Sequence, residues 1–299
     1  MPSDKGAHPL SQSEDKRLTI QQLLHSAGPS LSNKQKILID FLHRNYQKVA
    51  FANITELARE TKVSEATIVR LANLLGFDGY PSLQRAVRKI VAEELTTLER
   101  MQLSLEAREF DHPIQQVLKM DLRNIMRLYQ HLSRKELDSA VARIMNAQRV
   151  VVAGFMASSP LALYFGYVLN RVHRQVATFV DEGLGPKQAI CEMGRKDLLV
   201  AFGFPRYPAG IIRLLRTAAS RKVQRLVFTD TGASPLAPLA DTRVFLPFEM
   251  LSFVDSLAAP ISFLAGIVAE IVKRDPRRTA DRLEHFERMT SSFQLFHRD

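Results

Sequence analysis

Three short segments of the sequence collect groups able to hold an anion. The first, Gly154-Phe155-Met156-Ala157-Ser158-Ser159, puts two hydroxyls ahead of Pro160 and an apolar run. Hydroxyls and the free N–H groups of a helix start can together bind a phosphate or carboxylate. The second, Gly203-Phe204-Pro205-Arg206-Tyr207-Pro208, carries a guanidinium whose planar fork suits bidentate binding of either group. The third is Asp230-Thr231-Gly232-Ala233-Ser234-Pro235. Ser158, Ser159, Arg206, Tyr207, Asp230 and Ser234 are therefore the candidate ligand-binding residues. Four of them have a plainer alternative. Ser159 would serve as a helix N-cap before Pro160, Arg206 as half of a structural ion pair, and Asp230 and Ser234 as turn formers.

Catalysis finds less support. The sequence has no Gly-x-x-x-x-Gly-Lys-Ser/Thr loop, no His-Glu-x-x-His and no Cys-x-x-Cys. Its eight histidines are scattered without ligand spacing, so neither metal nor cofactor is expected. His173, at a helix end, reads as a surface or C-terminal charge. Sugar isomerisation needs a positioned acid–base group, for which Glu182, Glu249 and Asp255 are the evident carboxylates, none in a specific pattern. Cys191 is the one cysteine, read as a small buried helix residue. A lone thiol suits a reducing, cytoplasmic setting.

A second kind of chemistry lies nearer the N-terminus. Three short helices fit residues 33 to 76. Lys34–Asn45 carries Ile37, Leu38, Phe41 and Leu42 on one face; a second helix starts at Asn53, where Asn53-Ile54-Thr55-Glu56 has capping-box spacing. The third starts after Ser64, buries Ile68, Val69, Leu71 and Leu75, and stops at Gly76. Only Thr61-Lys62-Val63 separates the second and third, which fits the turn of a helix-turn-helix. Residues at the start of such a recognition helix read base edges. The candidate DNA contacts are Ser64, Glu65, Thr67, Arg70 and Asn73, with Lys34, Lys36 and Arg88 on phosphates. A plain helical bundle with a solvated charged face is the alternative.

The chain that must position these groups has 299 residues and a formal charge of +10, which suits a polyanionic partner. Asn33 to Ala92 holds ten Lys/Arg against five Asp/Glu. No apolar signal segment precedes Arg17. Val150 to Leu169 is free of charge, but a β-branched run, a Gly-Ser-Ser-Pro break and a helical pattern make it strand, loop and helix rather than a membrane span. Beyond Gln148, apolar strand candidates alternate with helices: Arg149–Gly154, Gln175–Val180, Asp197–Gly203, Gln224–Thr229 and Arg243–Pro247, with a long helix over Phe253–Arg274. The pattern predicts an all-α helix-turn-helix domain followed by an α/β, doubly wound, five-stranded parallel sheet. Residues 1–31 read as a flexible leader, 32–105 as the DNA-binding domain, 106–135 as a linker with a connecting helix, 136–275 as the sensing domain and 276–299 as a charged tail. Ile114, Val117, Leu118, Leu122, Ile125 and Met126 have the spacing of one buried helix face.

The run Ile54–Ala58, Val63-Ser64, Ala66–Leu71 and Leu75-Gly76-Phe77-Asp78-Gly79-Tyr80 resembles the helix-turn-helix of the RpiR/MurR regulators. The Leu-Gly-Phe…Gly-Tyr ending is specific to that family, and the likeness covers most of residues 32 to 275. It implies that the second half is a SIS domain, a sugar-phosphate-binding fold with ligand contacts on the first two loops. It also implies that Ser158 or Ser159 stands where a phosphosugar-binding serine lies. The second loop departs from the usual Ser/Thr-rich form: Phe-Pro-Arg-Tyr-Pro loses the hydroxyl cluster and gains Arg206.

The expected function is therefore a DNA-binding transcription regulator, not an enzyme, that senses a sugar phosphate, sugar acid or other small carboxylate. Its partners would be a double-stranded operator, that effector and copies of itself in a homodimer or homotetramer. The apolar helix Leu257–Val272 and the helix Pro113–Leu132 are the expected subunit contacts. The rivals are a SIS-type isomerase with an accessory helical domain and a helical scaffold that binds protein alone.

Overall fold

The structure, a computed structural model, describes residues 31–94, 96–106, 112–248 and 254–294. The leader expected over 1–31 lies outside the described residues save for its last position. The chain divides into two compact units, Met1–Glu94 and Leu95–Asp299. Residues 95–105, read from the sequence as the end of the first domain, group with the second unit.

In the first unit, α1 spans Asn33–Val49, α2 Ile54–Thr61, α3 Glu65–Leu74 and α4 Gly79–Glu94. α1 runs past its expected end, across a kink at Asn45. Capping boxes start both α1 (Ser32 with Gln35) and α2 (Asn53 with Glu56). Lys62 ends α2 in the left-handed conformation, and the buried Val63 anchors the turn into α3. The core gathers Leu38, Leu42, Leu57, Ile68, Leu71, Leu83 and Val87. Two expectations for this core need correction: Ile37 is exposed, and Val69 and Leu75 are only half-buried while Ala72 is buried. Gly76 and Gly79, at φ of +84° and +71°, bend the chain between α3 and α4 in a region that L side chains avoid. The bend delivers Tyr80 to the core, where its hydroxyl donates to the Ala52 carbonyl at 2.7 Å.

The second unit opens with three helices, α5 (Thr97–Glu106), α6 (Pro113–His131) and α7 (Arg134–Asn146). Five strands follow: β1 (Val150–Gly154), β2 (Val176–Phe179), β3 (Leu198–Phe202), β4 (Gln224–Thr229) and β5 (Thr242–Phe245). All pair in parallel, in the order β2-β1-β3-β4-β5. Helices α8 (Ser159–Leu169), α9 (Leu184–Cys191) and α10 (Ala209–Ser220) connect successive strands, and α11 (Ala258–Arg274) and α12 (Pro276–Ser292) complete the unit. Each strand lies within two residues of its expected ends; in β1, β3 and β4, apolar runs buried on both faces mark a parallel strand plainly. The even residues of β1 and β3 pack with α7, α8 and α11; the odd ones pack with α9 and α10. Phe165 meets Phe202 and Phe228 edge-on at 6.0 Å, and Phe228 meets Phe263 at 6.1 Å, which binds α8 and α11 to the sheet.

Four expectations fail here. On α6 the expected buried face is turned out: Ile114 is 77% exposed and Leu122 63%, while Gln116, Met120 and Asn124 face inward. On α11 the large apolar residues, Phe263, Leu264, Ile267 and Ile271, go into the core, and its outer side is mostly small, with Ser262, Ala265, Gly266 and Ala269. Its expected start, Phe253, lies outside the described residues. Cys191 is exposed rather than buried. His173 is buried: its Nε2 lies 3.0 Å from the Ala147 carbonyl and its Nδ1 accepts from the Gln175 N–H at 3.3 Å. Burial, first of all, holds its pKa below 6.5, and Arg278 and Arg282 of α12 push the same way.

Candidate functional site

Strand order fixes where a ligand can enter. The chain runs from β1 outward to β2, then returns to β3 on the other side of β1 and continues to β4 and β5. The reversal falls between β1 and β3, and open parallel sheets bind ligands at such a switch point, beyond the carboxyl ends of the strands. The loops that leave β1 and β3 there are 155–158, which carries Ser158 and leads into Ser159 at the start of α8, and 203–208, which carries Arg206 and Tyr207.

The first loop is a tight turn. Met156 takes a left-handed φ of 55° and opens a single 3-10 turn, Met156–Ser158. Gly154 is required at its base, since a Cβ there would lie 2.6 Å from the Ser158 carbonyl oxygen. Ser158 is buried and occupies the N-cap position, and Ser159 is the first residue of α8. The alternative of Ser159 as N-cap is thus corrected. Neither hydroxyl makes a hydrogen bond among the described residues, so both can donate and accept at the start of α8.

The second loop is braced on both sides of Arg206. Phe204 is buried and stacks on Phe248 at 4.2 Å. The Tyr207 hydroxyl donates to Asp230 Oδ1 at 2.7 Å. Gly203 packs so closely on Leu236 that a Cβ would meet Cδ2 at 2.3 Å. Between these anchors Arg206 adopts a φ of 33° and stands exposed, its Nη2 donating to Thr97 Oγ1 on α5 at 2.8 Å. Near it, on α5 and just before α11, lie Arg100 and Asp255. Burial and the Arg206 charge lower the Arg100 pKa, while Asp255 opposes them.

The third loop is occupied with holding the second. Thr229 Oγ1 donates to the Gly203 carbonyl at 2.7 Å and lies 2.8 Å from Ser234 Oγ, which also accepts from the Leu236 N–H. Asp230 and Ser234 therefore sit in a brace, at the same sheet edge as the first two loops. The carboxylates considered for acid–base work are dispersed. Glu182 pairs with Arg213, whose Nε lies 3.1 Å from its Oε1; Glu249 lies outside the described residues; Asp255 faces Arg100 and Arg206. Sequence reasoning missed Thr97, Arg100 and Thr229. The first two sit in a charged stretch that reads as solvated helix, and the third looks like an ordinary strand end.

In the first unit, α3 presents the other set. Ser64 holds the N-cap position without a side-chain cap bond, its Oγ 3.0 Å from Thr67 Oγ1. Glu65 accepts from the Thr55 hydroxyl at 2.7 Å, which ties α3 to α2. Asn73 Oδ1 accepts from the Gly79 N–H at 3.0 Å and shapes the entry of α4. Arg70 is exposed and makes no hydrogen bond or ion pair among the described residues. Lys34 and Lys36 are exposed on α1. Arg88 lies on α4, with its side chain outside the described residues.

Known proteins share both halves. Residues 18–94 match the helix-turn-helix domain of the rpiR family, and residues 143–268 match the SIS domain. An uncharacterized HTH-type transcriptional regulator of Caldanaerobacter subterraneus is 23% identical, over 83% of this chain and 86% of its own length. The solved structure of Vibrio vulnificus NanR complexed with ManNAc-6P shares 21% identity, with 94% of this chain and 100% of that one covered at a TM-score of 0.58. The sugar isomerase domain of the RpiR transcription factor of Sphaerobacter thermophilus shares 24%, over 60% of this chain and 99% of that one, at 0.57. These structural likenesses show the fold. With a helix-turn-helix domain of the rpiR type followed by a SIS domain, the chain belongs to the RpiR family of transcription regulators.

Proposed function

We propose that this regulator binds operator DNA through α3 and releases or tightens that grip when a small anionic metabolite, a sugar phosphate or a sugar acid, enters between the loops after β1 and β3. The observation that carries the reading is the strand reversal between β1 and β3. It brings the free Ser158 and Ser159 hydroxyls and the braced Arg206 to one edge of the sheet. NanR of Vibrio vulnificus, of the same fold, is complexed with a sugar phosphate. Arg206 in place of a hydroxyl-rich loop favours a carboxylate as much as a phosphate, because its fork matches either.

On the DNA side, Arg70 is the base reader, Thr67 and Ser64 contact the groove near the helix start, and Lys34, Lys36 and Arg88 hold phosphates. Glu65 and Asn73 act chiefly by shaping α3. Two-fold operators call for a symmetric assembly, and the outer face of α6 suits a second copy of the chain. Ile114, Val117, Leu118, Leu122, Ile125, Met126 and Tyr129 are exposed there in one stripe. Their exposed area is on the order of the 800 Å² per partner of a standard interface. The setting is cytoplasmic, where operator DNA is; no helix among the described residues is long and apolar enough to cross a membrane.

The test is an operator-shift assay on the DNA upstream of the gene, run beside a turnover assay on a phosphosugar panel. Specific, salt-sensitive DNA binding without turnover supports the regulator. Turnover without DNA binding would make the chain an isomerase.

A further inference from the structure

Helix α5 connects the two halves of the proposed mechanism. α4 closes the first unit at Glu94 and α5 begins at Thr97, so two residues join the last helix of the DNA-binding unit to α5. Thr96 caps α5, its hydroxyl accepting from the Glu99 N–H at 3.3 Å and its own N–H donating to Glu99 Oε2 at 2.7 Å. The helix therefore has a fixed start. Its first residue, Thr97, takes the hydrogen bond from Arg206. One turn on, Arg100 is 3% exposed, a burial that charged side chains rarely reach without a counter-group. Arg100 feels the charges of Arg206 and Asp255, and Asp255 feels both guanidiniums. Asp255 Oδ1 is itself buried and accepts no hydrogen bond among the described residues.

Three separate segments thus bring two guanidiniums and one carboxylate with an unspent acceptor together beside the β3 loop. We propose that α5 forms part of the effector site: Arg100 and Arg206 jointly hold the anionic group of a polyhydroxylated anion, and Asp255 Oδ1 accepts from one of its hydroxyls. The proposal rests on the reading of the β1–β3 edge as the effector site and adds a ligand contact carried by the helix that leads out of the DNA-binding unit. A bound anion draws Arg206 away from Thr97 and pulls on Arg100, so the ligand's preference for one placement of α5 becomes a preference for one state of the regulator. A neutral polyol lacks the group that two guanidiniums require, and inorganic phosphate has no hydroxyl set apart from its anionic group for Asp255 to accept from while the guanidiniums hold the anion. Sugar acids and sugar phosphates have both.

The experiment uses the full chain and four probes: gluconate, glucose 6-phosphate, inorganic phosphate and sorbitol. Binding is measured by calorimetry and thermal shift. At least one of the first two should bind the wild type, better than inorganic phosphate does, and sorbitol should not bind. Arg100→Gln and Arg206→Gln should each weaken that anion about tenfold or more, as expected for a lost charge-assisted pair. Asp255→Asn should narrow the preference over inorganic phosphate. Thr97→Val should leave affinity for the anion close to wild type and change how far the anion shifts operator affinity. Should Arg100→Gln fail to fold, Arg100→Lys keeps the charge without the fork and should still weaken binding several-fold. Loss of binding in Arg206→Gln with wild-type binding in a folded Arg100 variant would remove α5 from the site and leave the effector site standing. Wild-type binding in both variants, or no binding of either sugar anion by the wild type, would overturn the proposal and the effector site with it.

Discussion

Arg70 and Asn73 stand three residues apart on α3 and are set apart by one hydrogen bond. Asn73 spends its carbonyl on the Gly79 N–H, whereas Arg70 points to solvent with its donors unspent. Arg70→Ala should weaken specific operator binding by about 1–3 kcal/mol and leave the melting temperature unchanged. Asn73→Ala should instead destabilise the first unit by about 1 kcal/mol through its lost bond to α4. Anisotropy titrations and thermal melts of both variants separate the roles; unchanged operator affinity in Arg70→Ala would take it off the reading surface. His173 makes a prediction of another sort. Its pKa in the folded chain lies below 6.5, so the unfolded chain takes up the proton first as the solution is acidified. Its contribution to stability is intact above about pH 6.5 and is lost as pH falls below that value. Urea midpoints measured from pH 7.5 down to 5 should fall less steeply in His173→Gln than in the wild type; parallel profiles would show that His173 does not set the slope.

Among the elements, what the sequence made legible tracks where each side chain finds its partners. Strands β1, β3 and β4 read as apolar runs because both faces are buried within one chain. The capping box of α2 was readable because its donor and acceptor lie three residues apart. Helix α6 was legible as amphipathic but not as to which way its apolar face turns, since periodicity names a face and not what covers it. Its inner side carries Asn124, fully buried with both amide atoms unpaired among the described residues, and Gln116, whose Oε1 is buried without a partner among them. A helix that turns its polar stripe inward and its apolar stripe outward within one chain is arranged for a partner on the outside. Leu118→Glu with Leu122→Glu should keep the far-ultraviolet dichroism of the wild type and shift its mass by light scattering from an oligomer to a monomer. A wild type that is monomeric at micromolar concentration would contradict the assignment. Arg100 went unnoticed and His173 was read as a surface charge for the same physical reason: the burial of each is made by segments distant in sequence. At the candidate site, loop chemistry named Ser158, Ser159 and Arg206, but only the folded chain shows that Asp230 and Ser234 sit in a brace and that Thr97 receives Arg206.

At the scale of the whole molecule, the proposed mechanism places operator binding and anion sensing in one chain, and the joint is thermodynamic. An effector changes DNA affinity only by as much as it prefers one state of the regulator over another. The most direct test is operator affinity with and without gluconate or glucose 6-phosphate, for the wild type and for Arg206→Ala. At least one anion should change wild-type operator affinity by about fivefold or more. Arg206→Ala should bind the operator like the unliganded wild type and not respond. Equal responses in the two proteins, or a wild type indifferent to both anions, would contradict the coupling of an anion at Arg206 to operator affinity.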